Sequence, residues 1–446
     1  MMTSLFGRWC ARLGGALVLM LALGHVAGAI EIREVKTPKG VTAWLIEDKT
    51  VPIVSLEFAF RGGSALDPEG KDGVAELVSG LLDEGAGDLA SAEFQRRLEN
   101  NSISLGFRAS LDSFGGTLST LVENREMAFS LLQLALTRPR FDAEPVARMK
   151  SQVMAQIARE AERARNVAQQ RWQKEIFGTH PYGRDVDGQK KTITTITPED
   201  LRNFVNGRFA RDNLIIGVVG DITEAELVPL LDRTFGALPA KAASFRVPDI
   251  EVKNAGKVIV VPRKIPQTVV VFGQKGLPIT DPDYYAATVM NYIMGGGGLT
   301  SRLADEVREK RGLAYSVYTR LVNYDRADLI LGWVATQNAK VGQSMDLIRA
   351  EWARMANTPV SQSELDDAKS YLTGSYFTRL NSTRRIASLL VGLQLDNLGI
   401  DYIQRRNKLI AAVTVADVRR VAQRLLQPEG LTVVMVGSPE GVTATP

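Results

Sequence analysis

The sequence predicts an α+β protein built from two homologous α/β-sandwich halves, each a mainly antiparallel sheet packed with helices. The first observation behind this is an internal repeat. Residues 196–220 read ITPEDLRNFVNGRFARDNLIIGVVG and residues 413–437 read VTVADVRRVAQRLLQPEGLTVVMVG. Thr197/Thr414, Asp200/Asp417, Arg202/Arg419, Leu214/Leu431 and Gly220/Gly437 coincide at an offset of 217. Lys150-Ser151 matches Lys369-Ser370 at 219, and Asp67-Pro68 matches Asp281-Pro282 at 214. The second observation is that strand-like and helix-like segments group together more than they alternate, which disfavours a doubly wound parallel sheet.

Residues 1–29 read as an export signal. Arg8 and Arg12 supply a positive start, Leu13 to Leu23 is an apolar run, and Ala27-Gly28-Ala29 is an A-x-A cleavage site. The run is too short to span a bilayer. This predicts an exported protein, periplasmic if the source is Gram-negative. The first half then covers residues 30–238, a linker 239–255, and the second half 256–446.

Within the halves, alternation marks Val54–Phe60 and Val269–Phe272 as strands, while Ala147–Arg165 and Glu364–Leu380 read as long helices. Thr197-x-x-Asp200, Thr414-x-x-Asp417 and Ser361-x-x-Glu364 are capping boxes, each starting a helix. In the 217-residue repeat the capped helix leads into an apolar β-rich run ending at glycine.

Composition narrows the function. At 446 residues, 45% hydrophobic and 23% charged, the chain is long enough for two cores. Lys plus Arg is 54 against 50 for Asp plus Glu, with no basic run beyond two residues, so no stripe exists to track a phosphate backbone. The only cysteine, Cys10, lies in the leader, and of two histidines His25 does too. His180 alone remains, in the turn-like Thr179-His180-Pro181-Tyr182-Gly183. One histidine and no thiol cannot supply the three protein ligands of a catalytic zinc. Gly295–Gly298 lacks the Gly-Lys-Ser/Thr of a phosphate loop and reads as a mobile or tightly packed turn.

Three motifs together resemble the pitrilysin/insulinase-type (inverted-zincin) peptidases. They are Arg308-Glu309-Lys310-Arg311-Gly312-Leu313-Ala314-Tyr315 preceded by Ser301-Arg302-Leu303, then His180-Pro181-Tyr182-Gly183-Arg184, and Phe60-Arg61-Gly62-Gly63-Ser64 followed by Gly70-Lys71-Asp72-Gly73-Val74-Ala75. Active relatives carry His-x-x-Glu-His on a helix soon after the last of these. Here the corresponding residues are Glu76-Leu77-Val78-Ser79-Gly80, so Glu76, Ser79 and Gly80 stand where two histidines and a general base would be. The family's further glutamate ligand falls near Gln156.

The resemblance therefore implies the subunit type without the zinc motif: no catalytic residue on this chain alone, no metal bound by it, and zinc in a homologous partner subunit. It also assigns Arg308 and Tyr315 to a pair that holds the backbone carbonyl of a bound peptide. Local spacing is compatible, with Leu299, Leu303 and Val307 on one face of a helix ending at Gly312 and Leu313–Leu321 as the strand after it. The implied function is the non-zinc subunit of an exported metallopeptidase that cleaves peptides or unfolded segments. The alternative is a catalytically silent scaffold or peptide-binding protein of the cell envelope.

Overall fold

The computed structural model describes residues 31–253 and 255–445, so the leader predicted at residues 1–29 lies outside the described residues. Thirteen strands are present among them. The first half holds β1 (Arg33–Lys36), β2 (Thr42–Glu47), β3 (Ile53–Arg61), the short pair β4 (Gly85–Ala86) and β5 (Leu89–Ala90), then β6 (Ser104–Ala109), β7 (Ser113–Leu121) and β8 (Leu214–Gly220). The second holds β9 (Val258–Pro262), β10 (Gln267–Lys275), β11 (Ala314–Asn323), β12 (Asp328–Gln337) and β13 (Thr432–Gly437).

A six-stranded sheet runs in the order β1-β2-β8-β3-β7-β6, and a five-stranded one β11-β12-β10-β13-β9. Each sheet is antiparallel apart from one parallel pair, β2 with β8 and β13 with β9. The fold class is therefore a mixed α+β sandwich with mainly antiparallel sheets. β6 and β11 are the matching exposed edges.

Strand alternation builds each core. In β3, Val54, Leu56, Phe58 and Phe60 point into the first core, with Phe60 stacked on Phe209 at 4.5 Å. Ser55, Glu57 and Ala59 point to the other face, where an ordinary half-exposed strand would meet water. They are buried all the same. The cause is a helix borrowed from the second half.

Six helices matter here: α1 (Val74–Ser79), α2 (Ala143–Glu162), α3 (Ala164–Phe177), α4 (Gln362–Thr378), α5 (Thr383–Leu395) and α6 (Tyr402–Ala412). α3 belongs to the first half but packs on β10 and β13 of the second sheet, while α5 belongs to the second half and packs on β3 and β8 of the first. Their first residues, Ala164 and Thr383, are 219 apart, one of the repeat offsets.

Each sheet carries a glycine under the visiting helix. A Cβ on Gly273 would come within 2.7 Å of the Trp172 ring, and one on Gly217 within 2.8 Å of the Leu390 side chain. The exchange also explains why the single helix expected over Ala147–Arg165 is two. Arg163 takes an extended conformation (φ −86°, ψ 111°), which redirects the chain from its own half onto the other.

The predicted capping boxes are in place. Thr197, Ser361 and Thr414 each accept an N–H from the acidic residue three positions on, and each carboxylate accepts the cap residue's own N–H.

Candidate functional site

The first-half motifs converge on α1, where the zinc helix of an inverted zincin would lie. Gly73 enters the helix at φ +99°, a left-handed turn open to glycine. The buried Asp67 carboxylate accepts the Gly73 N–H at 2.9 Å and the Ala75 N–H at 3.3 Å. Burial still pushes that carboxyl up to about 7, against those two bonds. Arg184 donates to Asp67 O at 3.0 Å and to Asp72 Oδ1 at 2.9 Å. Tyr182, fully buried, donates to Asp112, whose other oxygen accepts the Asp325 N–H at 3.0 Å. Tyr182 thus ties the β6–β7 turn to the β11–β12 turn. The neighbouring His180 accepts from Tyr182 N–H at Nδ1 (3.2 Å), so its proton sits on Nε2, 2.9 Å from Pro248 O. These residues are scaffold.

What that scaffold holds does not fit a metal. Glu76 takes the place of the first histidine, and burial followed by the charges of Asp187 and Glu160 pushes its carboxyl up to about 7. Ser79 Oγ turns back to donate to Glu76 O at 2.8 Å. Gly80 faces Met149, whose Sδ and Cε would lie 2.7 Å from a Cβ added there. The space of the second imidazole is therefore filled by a thioether. Gln156 turns its amide N–H to Glu160 Oε1 (3.2 Å) and Asp187 Oδ2 (3.4 Å), whereas a metal ligand would present an oxygen lone pair to the ion. Among the described residues no three of His, Cys, Asp and Glu are grouped to hold a metal ion.

The second-half pair is built differently. Arg308 sits in a π-helical turn, Ala304–Glu309, closed by Lys310 N–H bonding to Asp305 O at 2.9 Å. Tyr315 falls where β11 slips by one residue against β12, between Ala314 and Val317. Such a bulge re-aims a side chain, and Tyr315 is 82% exposed. Across the Gly312 turn the Arg308 guanidinium lies 5.2 Å from the Tyr315 ring centroid. Arg308 Nε also faces Glu309 Oε1 at 3.2 Å. The Tyr315 hydroxyl bonds to no described residue.

The local helix is not the one expected. Leu303 and Val307 are buried, but Leu299 is 61% exposed, because Gly298 turns left-handed (φ +62°) and a 3-10 turn replaces the α-helical start. Of the glycine run, Gly295, Gly296 and Gly297 are tightly packed, since a Cβ there would meet Thr319 Oγ1 at 2.6 Å, Asn291 Nδ2 at 2.7 Å and Tyr292 O at 2.9 Å, whereas Gly298 faces open space. Neither the π turn nor the bulge has a signal in residue spacing.

Two duplicated sheets, a helix in the inverted-zincin position whose residues do not fit a metal, and an Arg/Tyr pair at the β11 edge describe a metallopeptidase-like protein. Residues 195–372 match the peptidase M16 inactive domain. Over 398 residues the chain is 27% identical to a Helicobacter pylori protein called a non-peptidase homolog, covering 87% of this chain and 91% of that one. It is 31% identical over 260 residues to an uncharacterized zinc protease of Streptomyces coelicolor, 56% of each. The crystal structure of a peptidase M16 inactive domain from Pseudomonas fluorescens superposes with a TM-score of 0.86 at 28% identity, over 93% of this chain and 99% of that one. Residues 195–372 carry the peptidase M16 inactive domain, and across nearly its whole length the chain is similar to M16 proteins, the pitrilysin/insulinase type that its motifs resemble, without the zinc motif of their active members.

Proposed function

We propose that this chain is the non-zinc subunit of an exported two-chain M16 peptidase, completing a peptide-binding chamber whose zinc lies in a homologous partner. The observation that carries this is the retained pair: Arg308 within 5.2 Å of a Tyr315 ring that is 82% exposed, beside the free edge β11. An exposed aromatic held on a bulge with an unpaired hydroxyl contributes little to folding, and is explained by a ligand. Both groups donate, so a single carbonyl oxygen can accept from the two of them. A peptide added to the β11 edge would place its carbonyls there, with main-chain pairing giving sequence-tolerant binding.

The peptidase M16 inactive-domain match supports this reading, and the name of the Helicobacter pylori relative, a non-peptidase homolog, fits the part of it that places no catalytic residue on this chain. Among the described residues no helix is long and apolar enough to cross a membrane. The test is to purify the chain from its native cells and identify what accompanies it. A zinc-bearing M16 chain should co-purify, and unstructured peptides should be cleaved by the pair but by neither chain alone. Recovery without such a partner, with no effect on peptide cleavage when candidate M16 chains are added, would favour the scaffold reading instead.

A further inference from the structure

We propose that a groove on the outer side of α5 captures the C-terminal carboxylate of a peptide whose last side chain is apolar. The inference rests on the peptide-binding reading above and adds a second contact, away from the β11 edge.

The two faces of α5 have different jobs. Ala387, Leu390 and Val391 are buried toward the first sheet. Arg385, Leu389, Gly392 and Asp396 recur at helical spacing and line a groove of about 550 Å³ against the end of α4 and the start of α6. That is the volume of a small-ligand site. Its apolar wall includes Ile279, Leu380, Leu398 and the ring of Tyr402.

Three guanidiniums line the same groove, and none has a carboxylate partner. Arg379 donates its backbone N–H to Tyr376 O at 3.3 Å, and its guanidinium makes no hydrogen bond or ion pair with any described residue. Arg385 donates to Asn381 Oδ1 at 3.1 Å. Arg406 donates to Leu372 O (3.1 Å) and Asn407 Oδ1 (3.0 Å), with its guanidinium 4.2 Å from the Tyr376 ring centroid. Elsewhere on the second half, arginines do find acids, as Arg420 and Arg424 find Asp283 and Asp281 at 2.6 and 2.7 Å. Asp396 is the acid on the lining, and burial raises its pKa. The groove therefore carries excess positive charge beside an apolar wall.

Two further features point to an occupant. Tyr376 Oη, in the wall, has no hydrogen-bond partner. Gly392 lies mid-helix, where glycine is unfavourable relative to alanine, yet a Cβ there would touch nothing within 4 Å. Packing within the chain does not demand this glycine; close approach of a ligand backbone would. A carboxylate matches the guanidinium fork, and an apolar terminal side chain would cover the wall that an inorganic anion leaves wet.

The experiment titrates the purified chain with an N-acetylated alanine peptide ending in Phe, as the free acid and as the C-terminal amide, by calorimetry. The acid should bind at least about tenfold tighter than the amide. Arg379→Ala and Arg385→Ala should each weaken the acid, and Gly392→Leu should block it, with unfolding temperature as the folding control. Equal binding of acid and amide, or indifference to Arg379→Ala, would overturn the proposal. Binding of decanoate without binding of the peptide would overturn it in favour of an anionic lipid. The ratio of acid to amide affinity reads the terminal carboxylate alone, whereas co-purification and peptide cleavage test the β11 edge, so the groove and the edge clamp fail separately.

Discussion

Trp172 of the first half donates its indole N–H to the Thr432 carbonyl of the second sheet at 2.9 Å, with its ring fully buried. On the opposite side Gln394 of α5 donates to Ile216 O of the first sheet at 3.0 Å. Arg61 of β3 closes the end of that helix, donating to Gln394 O at 2.9 Å and Leu395 O at 2.8 Å. Even the first-turn arginines correspond: Arg165 donates to the Tyr318 hydroxyl, and Arg384 to Ser104 Oγ at 3.1 Å. Each half completes the other.

Trp172→Ala should therefore cost about 3–5 kcal/mol, the range for a buried large aromatic. Trp172→Phe keeps most of the packing but strands a carbonyl, at a cost of about 1–2 kcal/mol. Denaturant unfolding measures both, and wild type should unfold in one transition because neither sheet has a complete cover alone. Two separated wild-type transitions would contradict the interlock.

This exchange was not legible in the sequence, although the duplication behind it was. Paired Thr-x-x-Asp caps and matching apolar runs ending at Gly220 and Gly437 carry local signals that survive divergence. An amphipathic helix, however, presents the same stripe whichever sheet it covers, so α3 and α5 give no hint of crossing over. Alternation in β3 likewise places Ser55 and Glu57 opposite the core without saying what lies there; the answer is α5, whose Thr383 and Ser388 hydroxyls meet Ser55 at 2.8 Å and Glu57 at 3.0 Å. The lost zinc ligands were readable residue by residue. Met149 filling the vacated space was not, because it comes from a distant helix.

That filling makes the zinc site hard to restore. Gly80→His must displace Met149, and overpacking of this kind costs about 1–3 kcal/mol. Met149→Ala in the same chain should recover much of the loss. The triple change Glu76→His, Ser79→Glu, Gly80→His, made together with Gln156→Glu for the third ligand, should gain stoichiometric zinc only when Met149 is also shortened. Thermal unfolding and elemental analysis after dialysis decide this; tight zinc in that variant with Met149 intact would refute the packing argument.

Glu76 also sets a pH dependence. Its folded pKa is raised from 4.5 to about 7, so between those values the native state holds a proton that the unfolded chain has released. Stability from this group is then greatest at the acid end and falls as pH rises toward 7. Asp187, raised to about 6 by burial and then by Glu160, adds the same sign. Glu76→Gln removes the ionisation, so the variant should match wild type near pH 4.5 and unfold at a higher temperature than wild type at pH 8. Identical differences at both pH values would show that Glu76 is solvated, contrary to its surroundings.

The most direct test of function concerns Arg308 and Tyr315 in the proposed two-chain complex. Tyr315→Phe deletes one hydroxyl and keeps the ring under the Arg308 guanidinium. With 82% of the residue exposed and its hydroxyl unbonded, the unfolding temperature should not move. If the hydroxyl stabilises the scissile-region carbonyl, its loss costs about 3 kcal/mol of transition-state stabilisation, or about a hundredfold in kcat/KM. Arg308→Lys keeps the charge but loses the planar fork and its stacking on Tyr315, so it should also impair cleavage without disassembling the complex. Steady-state cleavage of an unstructured peptide at matched complex concentration is the measurement. Wild-type rates from both variants would reject the clamp and leave the chain as a scaffold.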